Sequence, residues 1–203
     1  MRFRRFALPA LILLLLVVGL SRPKPPKKPG TPVVNSNKEE ELHPELRKRW
    51  RLAAAEYARR FPSLPRPYLA YAYRSMEEQA RLYAVGRARP GQLYVAHGVD
   101  GKSYPVIAPS LKEFPDWRII TNARPGQSLH NYRPALAFDV AFQDGKGGFS
   151  CLECFQKFGQ IAKSYGLEWG GDWRVRDYPH FQPPNYTWQM AQAGVPPRFT
   201  KEV

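Results

Sequence analysis

Apolar residues along the chain change period several times, and each change predicts a different element. Leu42, Leu46, Trp50, Ala53, Ala54, Tyr57 and Phe61 recur at three- and four-residue steps, so a helix with one apolar face runs up to the Phe61-Pro62 break. Tyr68 to Arg74 alternates in strand fashion. Ser75-Met76-Glu77-Glu78 then forms a capping box, with Ser75 at the N-cap and Glu78 at N3, and opens a helix that stops near Gly86. Residues 87–116, rich in Pro, Gly and Tyr, read as a long loop or an irregular hairpin. Trp117 to Asn122 reads as a strand, with a Pro125-Gly126 turn after it.

From Leu136 to Phe142 the period is two. Leu136, Phe138, Val140 and Phe142 form a core face, and Ala137, Asp139 and Ala141 face the other way. Ser150 to Glu153 is a second capping box, starting a helix with Leu152, Phe155, Phe158, Ala162 and Tyr165 inward and Gly166 at its end. From Pro183 onward there are aromatics and prolines but no period. Helices mixed with short strands predict an α+β domain, a small antiparallel sheet flanked by helices.

Composition adds the setting. The chain has 203 residues, 43% hydrophobic and 13% aromatic, which suits one domain with its own core. Arg2, Arg4 and Arg5 precede an apolar run from Phe6 to Leu20, the layout of an export signal. That run is shorter than the ~20 residues of a comfortable membrane span. No A-x-A cleavage site follows it, so residues 1–20 are either a signal peptide or an uncleaved signal anchor. Residues 21–39 are a Pro- and Lys-rich linker and 40–203 the folded domain. The domain is expected to be exported, in the periplasm or cell envelope, with inner-membrane anchoring left open. Of the net charge of +14, +9 falls in the first 60 residues. It suits an anionic partner. No groove-reading motif is present, so nucleic acid is not expected. Cys151 and Cys154, the only two cysteines, lack the further ligands a structural zinc site needs; a local disulfide or two plain thiols is the reading.

Candidate chemistry begins at Asp139. A carboxylate in the middle of an apolar strand loses several kcal/mol of hydration unless a cation or donors compensate it. His130 lies nine residues earlier, joined through a turn containing Pro134. Asp177-Tyr178-Pro179-His180 adds a third ligand and a second carboxylate. Two His and one carboxylate are a recognised catalytic zinc set, and a base beside the metal but off it completes the requirement. Each pair alone also fits a plain reading, an Asp paired with an Arg or amide and a core His beside a surface acid.

Taken together, Ser128-Leu129-His130, Ala137-Phe138-Asp139 and Asp177-Tyr178-Pro179-His180 resemble the S-x-H, A-x-D and D/E-x-x-H motifs of the zinc D-Ala-D-Ala carboxypeptidases and L-alanyl-D-glutamate endopeptidases. Tyr73-Arg74-Ser75, Thr121 to Ser128 and Glu168 to Trp173 are similar to the endopeptidase branch. The resemblance covers residues 68–182 and implies the Hedgehog/D-Ala-D-Ala-peptidase-like fold. It implies Zn2+ on His130, Asp139 and His180, with Asp177 as general base and Arg74 holding a substrate oxygen. Ser128 and Trp169 would contact the substrate, a peptidoglycan stem peptide, and the enzyme would act as a monomer. Arg74 fits a structural ion pair as well, and Ser128 a turn cap. The turn after His130 departs from many relatives, with Arg133-Pro134 in place of a Gly and a longer spacing to the Asp. The 87–116 stretch is expected to form a cleft wall or lid, with His97 either on the substrate or at the surface. The implied activity is L-Ala-D-Glu endopeptidase; removal of terminal D-Ala and a non-catalytic wall-binding module are the alternatives.

Overall fold

The computed structural model describes residues 35–203, so the Arg-flanked apolar run and most of the Pro/Lys linker lie outside the described residues. Among the described residues no helix is long and apolar enough to cross a membrane. Among the described residues before 40, Ser36 N donates to Tyr73 O, and Ala72 N donates to Ser36 O.

Helix α1 (Pro44–Arg60) starts where Pro44 supplies a fixed φ at N1 and His43 Nδ1 accepts from Glu45 N. Its buried face holds Leu46, Trp50, Ala53 and Tyr57, as the periodicity predicts, and also Arg49, which it does not. After β1 (Pro67–Tyr71), α2 (Met76–Ala84) is capped by Ser75, whose Oγ accepts from Glu78 N. The Glu78 carboxylate pairs with Arg81 at 2.8 Å.

Residues 87–116 contain a hairpin of β2 (Leu93–His97) and β3 (Ser103–Ile107). It packs on α2 through Ala80, Ala96, Tyr104 and Val106, and Val99 N bonds Pro125 O. The hairpin buttresses the turn ahead of Ser128, and the residues that line the cleft come from other segments. His97 is exposed and bonds Ser103 Oγ at 3.1 Å. The strand expected over Trp117–Asn122 does not form. That segment is pinned without a ladder: Trp117 Nε1 donates to Ala88 O, and Arg87 donates to Thr121 O and Asn122 Oδ1. A Cβ at Gly86 would stand 2.4 Å from Ile119 N, so the segment lies directly on that glycine.

Four strands make the sheet that carries the site: β1, β4 (Phe138–Phe142), β6 (His180–Gln182) and β5 (Glu168–Trp169), in the order β1-β4-β6-β5, all pairs antiparallel. Phe138 lies opposite Phe181 and Asp139 opposite His180. This register sends Phe138, Val140, Phe142 and Phe181 into the core and Asp139 and His180 to the other face. Helix α1 and α3 (Leu152–Ser164) cover the core face, where Phe138 stacks on Phe181 at 5.4 Å and Phe158 meets Phe181 edge-on at 5.2 Å. Leu136 departs from the expected face. The strand begins only at Phe138, and Leu136 joins Leu129, Ala137 and Tyr186 in a second cluster.

Helix α3 starts one residue later than the Ser150 box implies. Cys151 is the N-cap, its Sγ accepting from Cys154 N, and the two cysteines form a disulfide. Ser150 Oγ donates to Asp144 Oδ2 instead. The C-terminal tail, without period in sequence, forms α4 (Trp188–Gln192) and returns Phe199 to the core. Gly159 of α3 faces Trp169 so closely that a Cβ would sit 2.4 Å from the indole. Gly159→Ala gains ~0.5–1 kcal/mol of helix preference. Overpacking against a ring held by its own hydrogen bond loses ~1–3 kcal/mol. The second effect wins, and a thermal melt should show a lower midpoint by a few degrees; an unchanged midpoint would mean the ring yields freely.

Candidate metal centre

His130 sits in a 3-10 turn, Leu129–Asn131, whose N-cap is Ser128; Ser128 Oγ accepts from His130 N at 3.4 Å. The turn is tied to the end of β1. Arg74 N donates to His130 O, and Asn131 Nδ2 donates to Arg74 O. His130 Nδ1 lies 2.7 Å from Ala72 O. A carbonyl can only accept, so Nδ1 carries the proton and Nε2 turns its lone pair inward. The longer turn after His130 is anchored at both ends: Ala135 N donates to Glu41 O, and the Arg133 guanidinium lies 3.8 Å over the Tyr73 ring and 3.1 Å from Glu41. The extra length is thus taken up against the segment before α1, and Asp139 still faces His130.

The three side chains converge in a buried place. His130 Nε2 and His180 Nδ1 are 3.4 Å apart, and both lie close to Asp139 Oδ1, at 3.4 and 3.3 Å. Their ligand atoms all fall within 4.8 Å of one another, a grouping that can hold a metal ion. His130 is only 2% exposed, and Asp139 and His180 are each 9% exposed. Burial holds the His130 pKa below its ordinary value, against the pull of Asp139. Burial alone would raise Asp139, but His130 and His180 bring it well below the usual carboxylate range. Burial disfavours the His180 cation too; there the hydrogen bond that the cation gives Asp139, and the Asp139 charge, win, and the pKa is raised.

A cleft of about 520 Å³ opens over these groups. Arg74 lines it, with Nη2 at 3.6 Å from Asp139 Oδ2 and Nη1 donating to Gln79 Oε1. Among the described residues its buried Nε has no hydrogen-bond partner. Arg74 thus pairs with the candidate ligand Asp139 and also faces the cleft. Asp177 also lines the cleft, exposed at its rim. Asp177 N donates to Gly170 O and His180 N to Asp177 O. A Cβ on Gly170 would meet Asp177 O at 2.5 Å and His180 Cβ at 3.2 Å, so glycine is what lets this turn close. Loss of hydration, with Asp139 adding to it, raises the Asp177 pKa; His180, His130 and Arg74 oppose the rise.

Ser128 lines the cleft as well as capping the turn. Trp169, expected at the substrate, is elsewhere. It is 4% exposed in the core, packed on Tyr178 and donating from Nε1 to Tyr178 O, because its strand position points away from His180. The cleft tryptophans are Trp173 and Trp188, joined by Tyr186 and Gln182. Trp173 packs 5.1 Å from the His180 ring and donates to Glu168 Oε1 at 2.7 Å. Its signal in sequence was the second Trp of the Trp-Gly-Gly-Asp-Trp run, on the far side of a 3-10 turn from Trp169.

Residues 121–183 match the family model described as D-alanyl-D-alanine carboxypeptidase. The match contains Ser128, His130, Asp139, Asp177 and His180, while Arg74 precedes it. Over 119 residues the chain is 32% identical to the peptidoglycan L-alanyl-D-glutamate endopeptidase CwlK of Bacillus subtilis (strain 168), covering 54% of this chain and 56% of that protein. The chain thus spans about half the length of the curated relative it matches. It is also similar to the solved L-Ala D-Glu endopeptidase ChiX of Serratia marcescens, with a TM-score of 0.40 and 17% identity over 72% of this chain and 84% of that one. Over residues 121–183, which contain His130, Asp139, Asp177 and His180, the chain is therefore similar to the D-alanyl-D-alanine carboxypeptidase family, and over 119 residues to an L-alanyl-D-glutamate endopeptidase.

Proposed function

We propose that the chain is a zinc peptidase that hydrolyses an amide of the peptidoglycan stem peptide, as an L-Ala-D-Glu endopeptidase. The observation that carries this reading is the spacing of the three candidate ligand atoms, 3.3–3.4 Å apart. In a tetrahedral zinc site with bonds of ~2.0–2.2 Å, neighbouring ligand atoms stand ~3.3–3.6 Å apart. His130 Nε2, Asp139 Oδ1 and His180 Nδ1 would hold the ion. When bound, zinc supplies a Lewis acid that polarises the scissile carbonyl and makes water a better nucleophile.

The remaining roles fall to the chain's own groups. The Asp177 carboxylate takes a proton from the attacking water and passes it to the leaving amine. The Arg74 guanidinium, which lines the cleft beside Asp139, holds the carbonyl oxygen as charge develops on it. Ser128 fixes the His130 turn at the cleft edge. The identity to CwlK favours cleavage between L-Ala and D-Glu, whereas the description of the matched family favours removal of terminal D-Ala. Residues 1–20 would export the domain to the periplasm or cell envelope, by signal peptide or anchor, with 21–39 as tether.

Digestion of peptidoglycan by the zinc-loaded full chain, read by mass spectrometry, separates these outcomes. We expect peptides beginning at D-Glu, with L-Ala left on the glycan. Loss of a single D-Ala would instead assign a carboxypeptidase. Stoichiometric zinc with no new amine from any muropeptide would sink the enzyme reading and leave a wall-binding module.

A further inference from the structure

The candidate ligand His180 has a second nitrogen, and what it meets is not explained by the metal. Its Nε2 lies 3.1 Å from Gln182 Oε1. The Gln182 amide nitrogen is in turn held by two groups, Glu168 Oε1 at 3.4 Å and Tyr186 O at 3.2 Å. A carboxylate and a carbonyl only accept, so the amide must present NH2 to them and its oxygen to the imidazole. Gln182 Oε1 then accepts from His180 Nε2–H, which leaves the Nδ1 lone pair directed at Asp139 and His130.

Glu168 is itself fixed. Its Oε1 also accepts from Trp173 Nε1 at 2.7 Å, and its Oε2 accepts from Asn185 N at 2.8 Å. The anchor of the amide is thus tied to the ring that packs on His180 and to the turn after β6.

Resting on the zinc reading above, we infer that Gln182 and Glu168 are positioning residues that set the His180 tautomer for ligation through Nδ1. Reversing the amide would set two N–H groups against each other at Nε2 or drive the proton onto Nδ1, where the ion would bind. His130 needs no such relay, because the Ala72 carbonyl fixes its tautomer directly. The two histidines are therefore organised differently, one by backbone and one by a side-chain chain that substitution can reach.

The test is zinc affinity of the full chain, measured by competition with a chromophoric chelator, with folding checked by thermal melting in excess EDTA. Gln182→Leu removes the acceptor while filling the space. It should weaken zinc binding by ~10- to 100-fold, the usual range for a group that orients a ligand. In the metal-free protein, at a pH where the ring is neutral, the imidazole nitrogen NMR shifts of His180 should report the Nε2–H tautomer for the wild type and a mixture of tautomers for Gln182→Leu. If Gln182→Leu does not fold, Gln182→Ser, too short to reach Nε2, is read in its place and should show the same weakening. Unchanged affinity in these single variants overturns the inference and leaves the metal site standing, as does a loss of affinity with the His180 tautomer unchanged. A wild-type chain that binds no zinc overturns the site reading and this inference with it.

Discussion

His180→Ala is expected to give a folded protein that retains no zinc and hydrolyses no muropeptide. Next to it in β6, Phe181 points into the core and carries the packing against Phe138 and Phe158. His180 points to the cleft, so its removal leaves that packing intact. Asp139 loses a partner at 3.3 Å but keeps His130 at 3.4 Å and Arg74 at 3.6 Å. A partly unsatisfied buried carboxylate loses ~1–3 kcal/mol, which water entering the opened cleft reduces. The metal effect is larger. Only two donors remain, too few for the three protein ligands that catalytic zinc requires. Elemental analysis after dialysis, beside a thermal melt, checks both halves. Stoichiometric zinc in a folded His180→Ala protein would remove His180 from the ligand set.

What could be seen in the sequence follows the range of the forces involved. The α1 face was legible because burial repeats every three or four residues within one helix, whatever the partner. Asp139 was legible as an anomaly, since an acid flanked by Ala137 and Ala141 between core residues calls for compensation. The register that puts Asp139 opposite His180 is a contact across 41 residues and has no local signal. The same limit hid Gln182 and Glu168, which meet only because β5 and β6 pair. Trp117–Asn122 misled because Ile119 and Ile120 resemble a strand, yet they are about half exposed and Ile120 lines the cleft. Their backbone is held by Gly86 and Arg87, which no periodicity reports. Trp169 and Trp173 were easily exchanged for a related reason. The 3-10 turn Gly170–Asp172 between them breaks the alternation that would otherwise assign their faces.

The second large effect separates holding the metal from using it. Asp177→Asn should keep zinc stoichiometry and lower kcat by ~10²- to 10⁴-fold, the contribution usual for a positioned general base. The substitution preserves shape, and the bonds that place the residue are backbone bonds, Asp177 N to Gly170 O and His180 N to Asp177 O, which any side chain retains. The amide cannot take a proton at neutral pH, so the loss falls on turnover while KM changes little. Stability should move the other way. The folded-state pKa of Asp177 is raised, so its ionised form is disfavoured by folding; its stabilising contribution is present below the ordinary carboxylate pKa and is lost as pH rises through the raised value. At neutral pH the neutral Asn removes that penalty, together with the repulsion from Asp139, and the metal-free variant should melt no lower than the wild type. A folded, zinc-loaded Asp177→Asn enzyme with kcat within tenfold of wild type would require another base, and no other carboxylate besides Asp139 lines the cleft among the described residues.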